Sequence, residues 1–447
     1  MDTTADTIAA IATPAGQGGV GMVRLSGPDA PHIARTLLGV LPPARHAGLH
    51  DFRAANGALI DSGLALYFPA PASFTGEHVL ELHGHGGPVV MDLLLQRVLE
   101  LGARHARAGE FSERAFLNNK LDLVQAEAIA DLIGSGTAQA ARAAVRSLHG
   151  EFSRQVQVLL EQLIVLRGYV EAALDFPDED VDFLAERQLA DRLQALLQQL
   201  ETVRAAASQG RLLHDGVTLV ICGRPNAGKS SLMNALAGYD AAIVTAVPGT
   251  TRDVLREHIQ VGGLPLHLID TAGLHDSPDP VERHGMQRAR RELGNADQAL
   301  LVIDDQAGFT DADAAILDGL PAGVPYTHIF NKIDLSGRRP GIAKGADAVA
   351  ISARTGSGIN ELRVYLKQCA GFTEQPEGGF SARRRHLDAL ERATQYVQDG
   401  VCRLEQQAGE LLAEELRQAQ QALNEITGEF TSDDLLGRIF SDFCIGK

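Results

Sequence analysis

Gly223-Arg224-Pro225-Asn226-Ala227-Gly228-Lys229-Ser230 is where this chain declares its architecture. The apolar run Val217–Ile221 precedes it and Leu232-Met233-Asn234-Ala235-Leu236 follows. A strand therefore feeds a glycine-bounded loop that opens a helix, the setting a phosphate-binding G-x-x-x-x-G-K-[ST] loop requires. Gly223 and Gly228 let the backbone curl so that successive N–H groups point at phosphate oxygens. Lys229 adds a point charge near the β- and γ-phosphates, and Ser230 offers its hydroxyl to Mg2+. The residues expected to touch a nucleoside triphosphate here are Asn226, Ala227, Gly228, Lys229, Ser230 and Ser231.

Further signals follow in order. Val254–Val261 and Leu264–Asp270 are β runs joined by Gly262-Gly263, a hairpin. The second run ends in Asp270-Thr271-Ala272-Gly273. An Asp at that strand end suits a magnesium-water contact, and the Gly lets its N–H approach the γ-phosphate. Strands over Gln298–Ile303 and Tyr326–Phe330 come next, the latter ending in Asn331-Lys332-Ile333-Asp334. A carboxylate at 334 can accept hydrogen bonds from N1 and the exocyclic amine of guanine. Adenine cannot supply that pair, and ATP would leave the carboxylate buried and unpaired. Val349 to Arg354 is the last strand and loop, with Ser352 and Ala353 as a companion wall of the base pocket. Motifs of these kinds in this order resemble the Ras-like GTPases, which makes the nucleotide GTP.

The turnover chemistry departs from that pattern. Ras-type enzymes orient the attacking water with a Gln just after the D-x-x-G glycine, and here that position is Leu274. Asn226, set against Thr245-Ala246-Val247-Pro248-Gly249-Thr250-Thr251, offers an amide oxygen, hydroxyls and carbonyls. These are hard ligands for a monovalent cation placed where an arginine finger would act. Asn226 also reads as a side chain that stabilises its own loop. Glu282, beyond Asp276 and Asp279, is either a carboxylate within reach of the water or a surface acid.

The rest of the chain frames this domain. At 447 residues there is room for several cores. No apolar run approaches the ~20 residues that span a bilayer, and the acidic N-terminus does not read as a signal peptide. Cys222, Cys369, Cys402 and Cys444 lack C-x-x-C spacing, so the expected compartment is a reducing cytoplasm. The net charge of −17 argues against a general nucleic-acid coat, though not against a local basic patch. Residues 1–118 mix β runs (Thr7–Ala12, Val20–Leu25, Leu64–Phe68) with a helix over Val89–Leu101, an α+β domain. His83 and His85 suggest a metal, but no third ligand sits nearby in sequence. From Ala126 the period turns helical, through Phe152–Val170 and then Leu189–Val203, with Gly210 and Asp215-Gly216 expected to end the second helix. Leu387 to Ile426 is helical again. Apolar stripes on both sides suggest one all-α domain (119–213 and 373–447) into which a Ras-like α/β domain, 214–372, is inserted, the alternative being two separate helical units.

Over its whole length the chain resembles the tRNA-modification GTPases of the MnmE/TrmE type. The resemblance rests on Gly18–Gly21, Phe74-Thr75-Gly76-Glu77, Gly84-His85-Gly86-Gly87-Pro88, the Gly109–Asn118 stretch GEFSERAFLN and Asp175-Phe176-Pro177. It is completed by the phosphate loop, Pro248–Asp253 and the terminal Phe443-Cys444-Ile445-Gly446-Lys447. It implies a homodimer held by the N-terminal domains and potassium-stimulated hydrolysis when two GTPase domains meet. Asn226, Thr245, Val247 and Thr250 would then hold K+, Ser230 and Thr251 would contact Mg2+, and Glu282 would position the water beside Lys229. Arg252 and Asp253 would belong to the mobile first switch.

By the same resemblance, Arg24, Glu81, Lys120 and Lys447 align with positions that contact a tetrahydrofolate one-carbon donor (5-formyl or 5,10-methylene). Cys444 is a candidate reactive thiol. Taken by themselves, Arg24 and Glu81 are ordinary strand or surface residues, and Cys444 a small packing residue. The implied reaction installs an aminomethyl or carboxymethylaminomethyl group at carbon 5 of a tRNA wobble uridine. It is carried out with an FAD-containing partner of the MnmG/GidA type, as a heterotetramer or larger. Arg142, Arg146 and Arg383-Arg384-Arg385-His386 are candidate phosphate contacts or a solvated basic face. The rival reading is a ribosome-assembly GTPase of the Era or EngA kind, which would need a GXXG module or basic tail not found here.

Overall fold

The structure is a computed structural model that describes residues 6–175, 184–238, 256–270, 294, 296–321, 323–343, 347–373, 379–429, 433–441, 443 and 446. In chain order the first elements are β1 (Ile8–Ile11), β2 (Gly18–Ser26), α1 (Ala30–Leu38), β3 (Gly48–Arg53), β4 (Leu59–Phe68) and β5 (Val79–Gly86). Next come α2 (Pro88–Glu100), β6 (Arg104–His105), α3 (Glu110–Leu117), α4 (Leu123–Gly134), α5 (Ala138–Leu148), α6 (Glu151–Asp175) and α7 (Leu184–Asp215). Then follow β7 (Val217–Cys222), α8 (Lys229–Ala237), β8 (Arg256–Val261), β9 (Leu264–Asp270), β10 (Gln298–Asp304), α9 (Asp311–Asp318) and β11 (Tyr326–Asn331). The last are α10 (Ile333–Ser336), β12 (Gly341–Ile342), β13 (Ala348–Ala350), α11 (Ile359–Cys369), α12 (Arg384–Glu405), α13 (Gly409–Thr427) and α14 (Asp433–Ser441).

The chain forms two compact units, one from residues 1–130, 148–161 and 420–447, the other from 131–147 and 162–419. In the first, a six-stranded sheet runs β3-β4-β5-β2-β1-β6, antiparallel except for the short β1–β6 pair. One face buries Val23, Leu25, Leu80 and Leu82 against Ile33 and Leu37 of α1 and Leu94 and Val98 of α2. The edge strand β3 buries only Phe52 and leaves Leu49 exposed, which is why alternation alone does not announce it.

In the second unit, a seven-stranded sheet runs β12-β13-β11-β10-β7-β9-β8, its five inner strands parallel and its edge strands antiparallel. Parallel strands covered on both faces read as continuous apolar runs, and β10 (QALLVID) is buried from Gln298 through Ile303. Leu219, Ile221, Leu300, Val302 and Ile329 form its core with Leu232 and Leu236 of α8 and Leu362 of α11. In such sheets ligands bind beyond the carboxyl ends of the strands.

Two sequence expectations are corrected. Gly210 does not end a helix, because α7 continues to Asp215. A side chain at 210 would collide with the carbonyl of Phe380, so the glycine is a close-approach site within the helix. The helical stretch Leu387–Ile426 divides into α12 and α13 at Gln407, whose φ is 55°.

The two chain connections of the seven-stranded domain are tied together. Gln209 donates to the Gly371 carbonyl (2.8 Å) and accepts from Thr373 N–H (3.0 Å). Beside them His214 bonds Asp131 through Nε2 (3.1 Å) and Asp215 through Nδ1 (2.7 Å). Asp131 also takes Arg383 (2.6 Å) and the Ser381 hydroxyl (2.9 Å). An imidazole between two carboxylates donates from both nitrogens, and those bonds raise the His214 pKa to about 9. A raised histidine stabilises fully below its unfolded value near 6.5 and loses that stabilisation as pH rises through the folded value. Raising the pH from 6.5 to 9 should therefore weaken this junction, by on the order of 2 kcal/mol. Thermal unfolding against pH checks this: His214→Gln should flatten the alkaline decline, and an unchanged slope in the variant would refute the assignment.

Candidate functional site

At the end of β7 the backbone takes the turn that the glycines were expected to permit. Gly228 has φ 100° and caps the N-terminus of α8, whose first N–H groups have no acceptor within the helix. A Cβ on Gly228 would strike Asn331 Nδ2, so an L side chain is excluded by both backbone and neighbour. Asn226 is exposed with φ 63°, and Ala227 is buried. Lys229 Nζ donates to the carbonyls of Gly223 (2.8 Å) and Arg224 (3.0 Å), which holds the ammonium under its own loop. Ser230 and Ser231 are exposed on the first turn of α8.

The base motif is joined to this loop by one residue. Asn331 Nδ2 donates to Ala227 O (2.9 Å), while its Oδ1 accepts from the N–H groups of Lys332 (2.8 Å) and Ala353 (3.0 Å). A single buried amide thus fixes the phosphate loop, the strand end and the last loop relative to one another. Lys332 (φ 67°) reaches across to Asp304 (2.7 Å). Asp334 Oδ1 accepts from Ser352 Oγ (2.7 Å), and Oδ2 pairs with exposed Arg354 (3.1 Å). Arg224 pins the loop from below to fully buried Asp313 (2.9 Å), a contact that no motif announced.

The structure therefore brings together Asn226, Ala227, Gly228, Lys229, Ser230, Ser231, Asn331, Lys332, Asp334, Ser352 and Ala353. Thr245, Ala246, Val247, Pro248, Gly249, Thr250, Thr251, Thr271, Ala272, Gly273 and Glu282 lie outside the described residues, as do Cys444 and Lys447. Asp270 closes β9, which runs parallel beside β7.

In the first unit Arg24 and Glu81 face each other across β2 and β5 and form a two-pronged ion pair (2.9 and 2.8 Å). The guanidinium carbon of Arg24 is 5.9 Å from the ring centres of both Phe74 and Phe111. Its Nη1 lies 3.5 Å from the carbonyl of Gly446, so the terminal tail reaches this strand pair. The stem of Lys120 runs past Gly76 and its ammonium donates to Pro71 O (3.1 Å). His83 and His85 take Glu81 (3.4 Å) and Asp61 (2.8 Å) as partners.

Beneath the pair lies a network that sequence reasoning missed. Arg114 (6% exposed) reaches Asp6 (2.7 Å), Glu77 (3.1 Å) and Glu110 (3.1 Å). Glu77 also accepts from buried Ser26 (2.6 Å), and Glu110 accepts from Arg104 (2.5 Å). Burial works to raise the Glu110 pKa, yet the bonds from Arg104, the Arg107 N–H and Arg114 win and hold it at about 2. The signal available in sequence was a Glu and an Arg four residues apart on the face that carries Phe111 and Ala115. The proposed basic face is smaller than the sequence suggested. Arg383 is paired with Asp131, Arg146 is bonded to Gly379 O, and His386 is buried, leaving Arg142 and Arg384 exposed.

Among known proteins, residues 123–444 match the MnmE helical domain family and residues 7–120 the GTP-binding protein TrmE N-terminus family. A tRNA modification GTPase MnmE from Nitrosococcus oceani is 60% identical over 445 residues, spanning 99% of this chain and 97% of its own. Another from Pseudomonas aeruginosa is 59% identical over 455 residues, spanning 100% of both chains.

Proposed function

The chain belongs to the MnmE family of tRNA modification GTPases, and on that premise we propose that its GTP hydrolysis serves the remodelling of a wobble uridine. In this reading the chain, with an FAD-containing partner of the MnmG/GidA type, installs an aminomethyl or carboxymethylaminomethyl group at carbon 5. The one-carbon unit comes from a tetrahydrofolate derivative. The chain acts as a homodimer in the cytoplasm, and among the described residues no helix is long and apolar enough to cross a membrane. The inserted GTPase domain spans 214–372.

The observation that carries the reading is the meeting of the tail with the Arg24–Glu81 pair, through the 3.5 Å approach of Gly446 O to Arg24. A carboxylate, a guanidinium and two aromatic rings fit a flat, guanidine-edged pterin. A tail ending Cys444-Ile445-Gly446-Lys447 there would bring a thiol and a cation to the donor. When bound, the folate would supply the activated carbon. Glu81 would orient its ring edge, and Lys120 and Lys447 would meet its carboxylate tail.

In the GTPase domain, Lys229 would exchange its two carbonyl partners for phosphate oxygens. Ser230 and Thr251 would hold Mg2+. Asn226, with Thr245, Val247 and Thr250, would hold K+, which supplies positive charge where the transition state gathers negative charge. Glu282 would align the attacking water. Asp334 would read guanine.

The test is mass spectrometry of wobble nucleosides in tRNA from cells lacking this chain, with and without its re-expression. The expected result is loss of the carbon-5 aminomethyl-type modification and its return on complementation. An unchanged nucleoside profile would overturn the reading and leave a GTPase with another output.

A further inference from the structure

The β8–β9 hairpin has an unusual position in the chain. Its first strand follows the Thr245–Asp253 stretch, and its second runs into Asp270-Thr271-Ala272-Gly273, so both switch sequences are covalent extensions of it. It forms the edge of the seven-stranded sheet, where only β7 flanks it.

Two tethers from outside the sheet hold this hairpin. At the tip, Gly263 stands so close to Gln139 of α5 that a Cβ there would overlap the Gln139 amide. At ~3.3 Å per strand residue, that tip is about 23 Å along β9 from Asp270. Nearer the base, His267 Nε2 lies 2.9 Å from the carbonyl of Asp215, the last residue of α7. Since a carbonyl only accepts, His267 carries a proton on Nε2. His267 Nδ1 is 2.7 Å from Nδ1 of His258, its cross-strand partner. The two imidazoles therefore share one hydrogen bond between these nitrogens, one donating and the other accepting. One continuous chain of hydrogen bonds thus runs from β8 through β9 to the end of α7, where Asp215 holds His214 and, through it, Asp131.

We propose that this hairpin is a lever that conveys the nucleotide state of the switches to helical segments. Its outputs are Gln139 on α5 and the His258–His267–Asp215 chain at the end of α7. Rigid strands carry displacement along their length, and both contact points lie on helices outside the nucleotide site. The proposal requires GTP binding and hydrolysis only, and stands or falls independently of the folate and partner chemistry.

Hydrogen–deuterium exchange on the full chain, with GDP or a non-hydrolysable GTP analogue, tests it. In the wild type, amides of 138–148 and 205–215 should exchange differently in the two states. His267→Phe, which keeps a ring but no donor, and Gln139→Ala should each remove a large part of that difference, on the order of half, as coupling shared between two tethers requires. Nucleotide affinity should stay within about twofold, which also verifies folding. If His267→Phe loses nucleotide binding, Gln139→Ala decides. No nucleotide-dependent difference in the wild type, or an undiminished one in the folded variants, would overturn the lever.

Discussion

Replacing Asp334 by asparagine is expected to turn a guanine site into a xanthine site. Asp334 Oδ1 is already fixed by Ser352 Oγ at 2.7 Å, and an asparagine oxygen can accept that same bond. What changes is the other atom: an NH2 group replaces the oxygen that would accept from the base. Guanine would then face a donor with its own donors, whereas xanthine presents a carbonyl. GTP affinity should fall by at least about 100-fold, with a matching gain for xanthosine triphosphate, because a buried unpaired donor carries its full desolvation cost. Arg354, 78% exposed, pairs with the other oxygen and adds little, since exposed ion pairs are worth a fraction of a kcal/mol. Titration with both labelled triphosphates reads the outcome, and unchanged GTP affinity would remove Asp334 from base recognition.

The second large effect concerns stability. Arg114→Met should be among the most damaging single changes in the first unit, although the residue lies within an otherwise unremarkable helix. Its guanidinium serves Asp6, Glu77 and Glu110 at once, and Glu110 is 2% exposed. Removing it leaves buried Glu110 and largely buried Glu77 short of a partner, at about 3–5 kcal/mol. In a unit of this size that corresponds to a fall of roughly 10 °C in its melting transition. The same network sets an acid limit: Glu110 stabilises above its unfolded value of 4.5 and loses that contribution as pH falls toward about 2. Differential scanning calorimetry of Arg114→Met and Arg114→Lys would show a large loss and a smaller one. A melting point within about 2 °C of wild type for Arg114→Met would mean the network contributes little.

What could be read from residue order alone, and what could not, divides along a physical line. Local signals carried the nucleotide loop: Gly228, Lys229 and the strand before them are contiguous, so their geometry is written within one short segment. The buried runs at Gln298–Ile303 and Tyr326–Phe330 announced central strands for the same reason. Partnerships across the chain were not legible. Phe74-Thr75-Gly76-Glu77 and Gly109–Asn118 stood out as motifs, yet nothing in either says that Glu77 and Arg114 bond each other. Asn331 reads as the first residue of the base motif, while its bond to Ala227 depends on a register that only the sheet supplies. Gly210 reads as a helix end because a glycine that ends a helix and one that admits a neighbouring carbonyl look identical in sequence.

The Gln209 bridge has a consequence for how such a chain can be assembled. Gln209 and Thr373 are 164 residues apart along the chain but share a hydrogen bond. Left unfolded, that intervening stretch would be one very long loop for the surrounding helices to close. Once folded on its own, its two ends present themselves side by side, and the loop is in effect a few residues long. With closure entropy growing as the logarithm of length, the difference is roughly 3 kcal/mol in favour of the helices. The nucleotide-binding domain thus acts on its host as a pre-closed clasp, and the natural order of events is insert first, frame second.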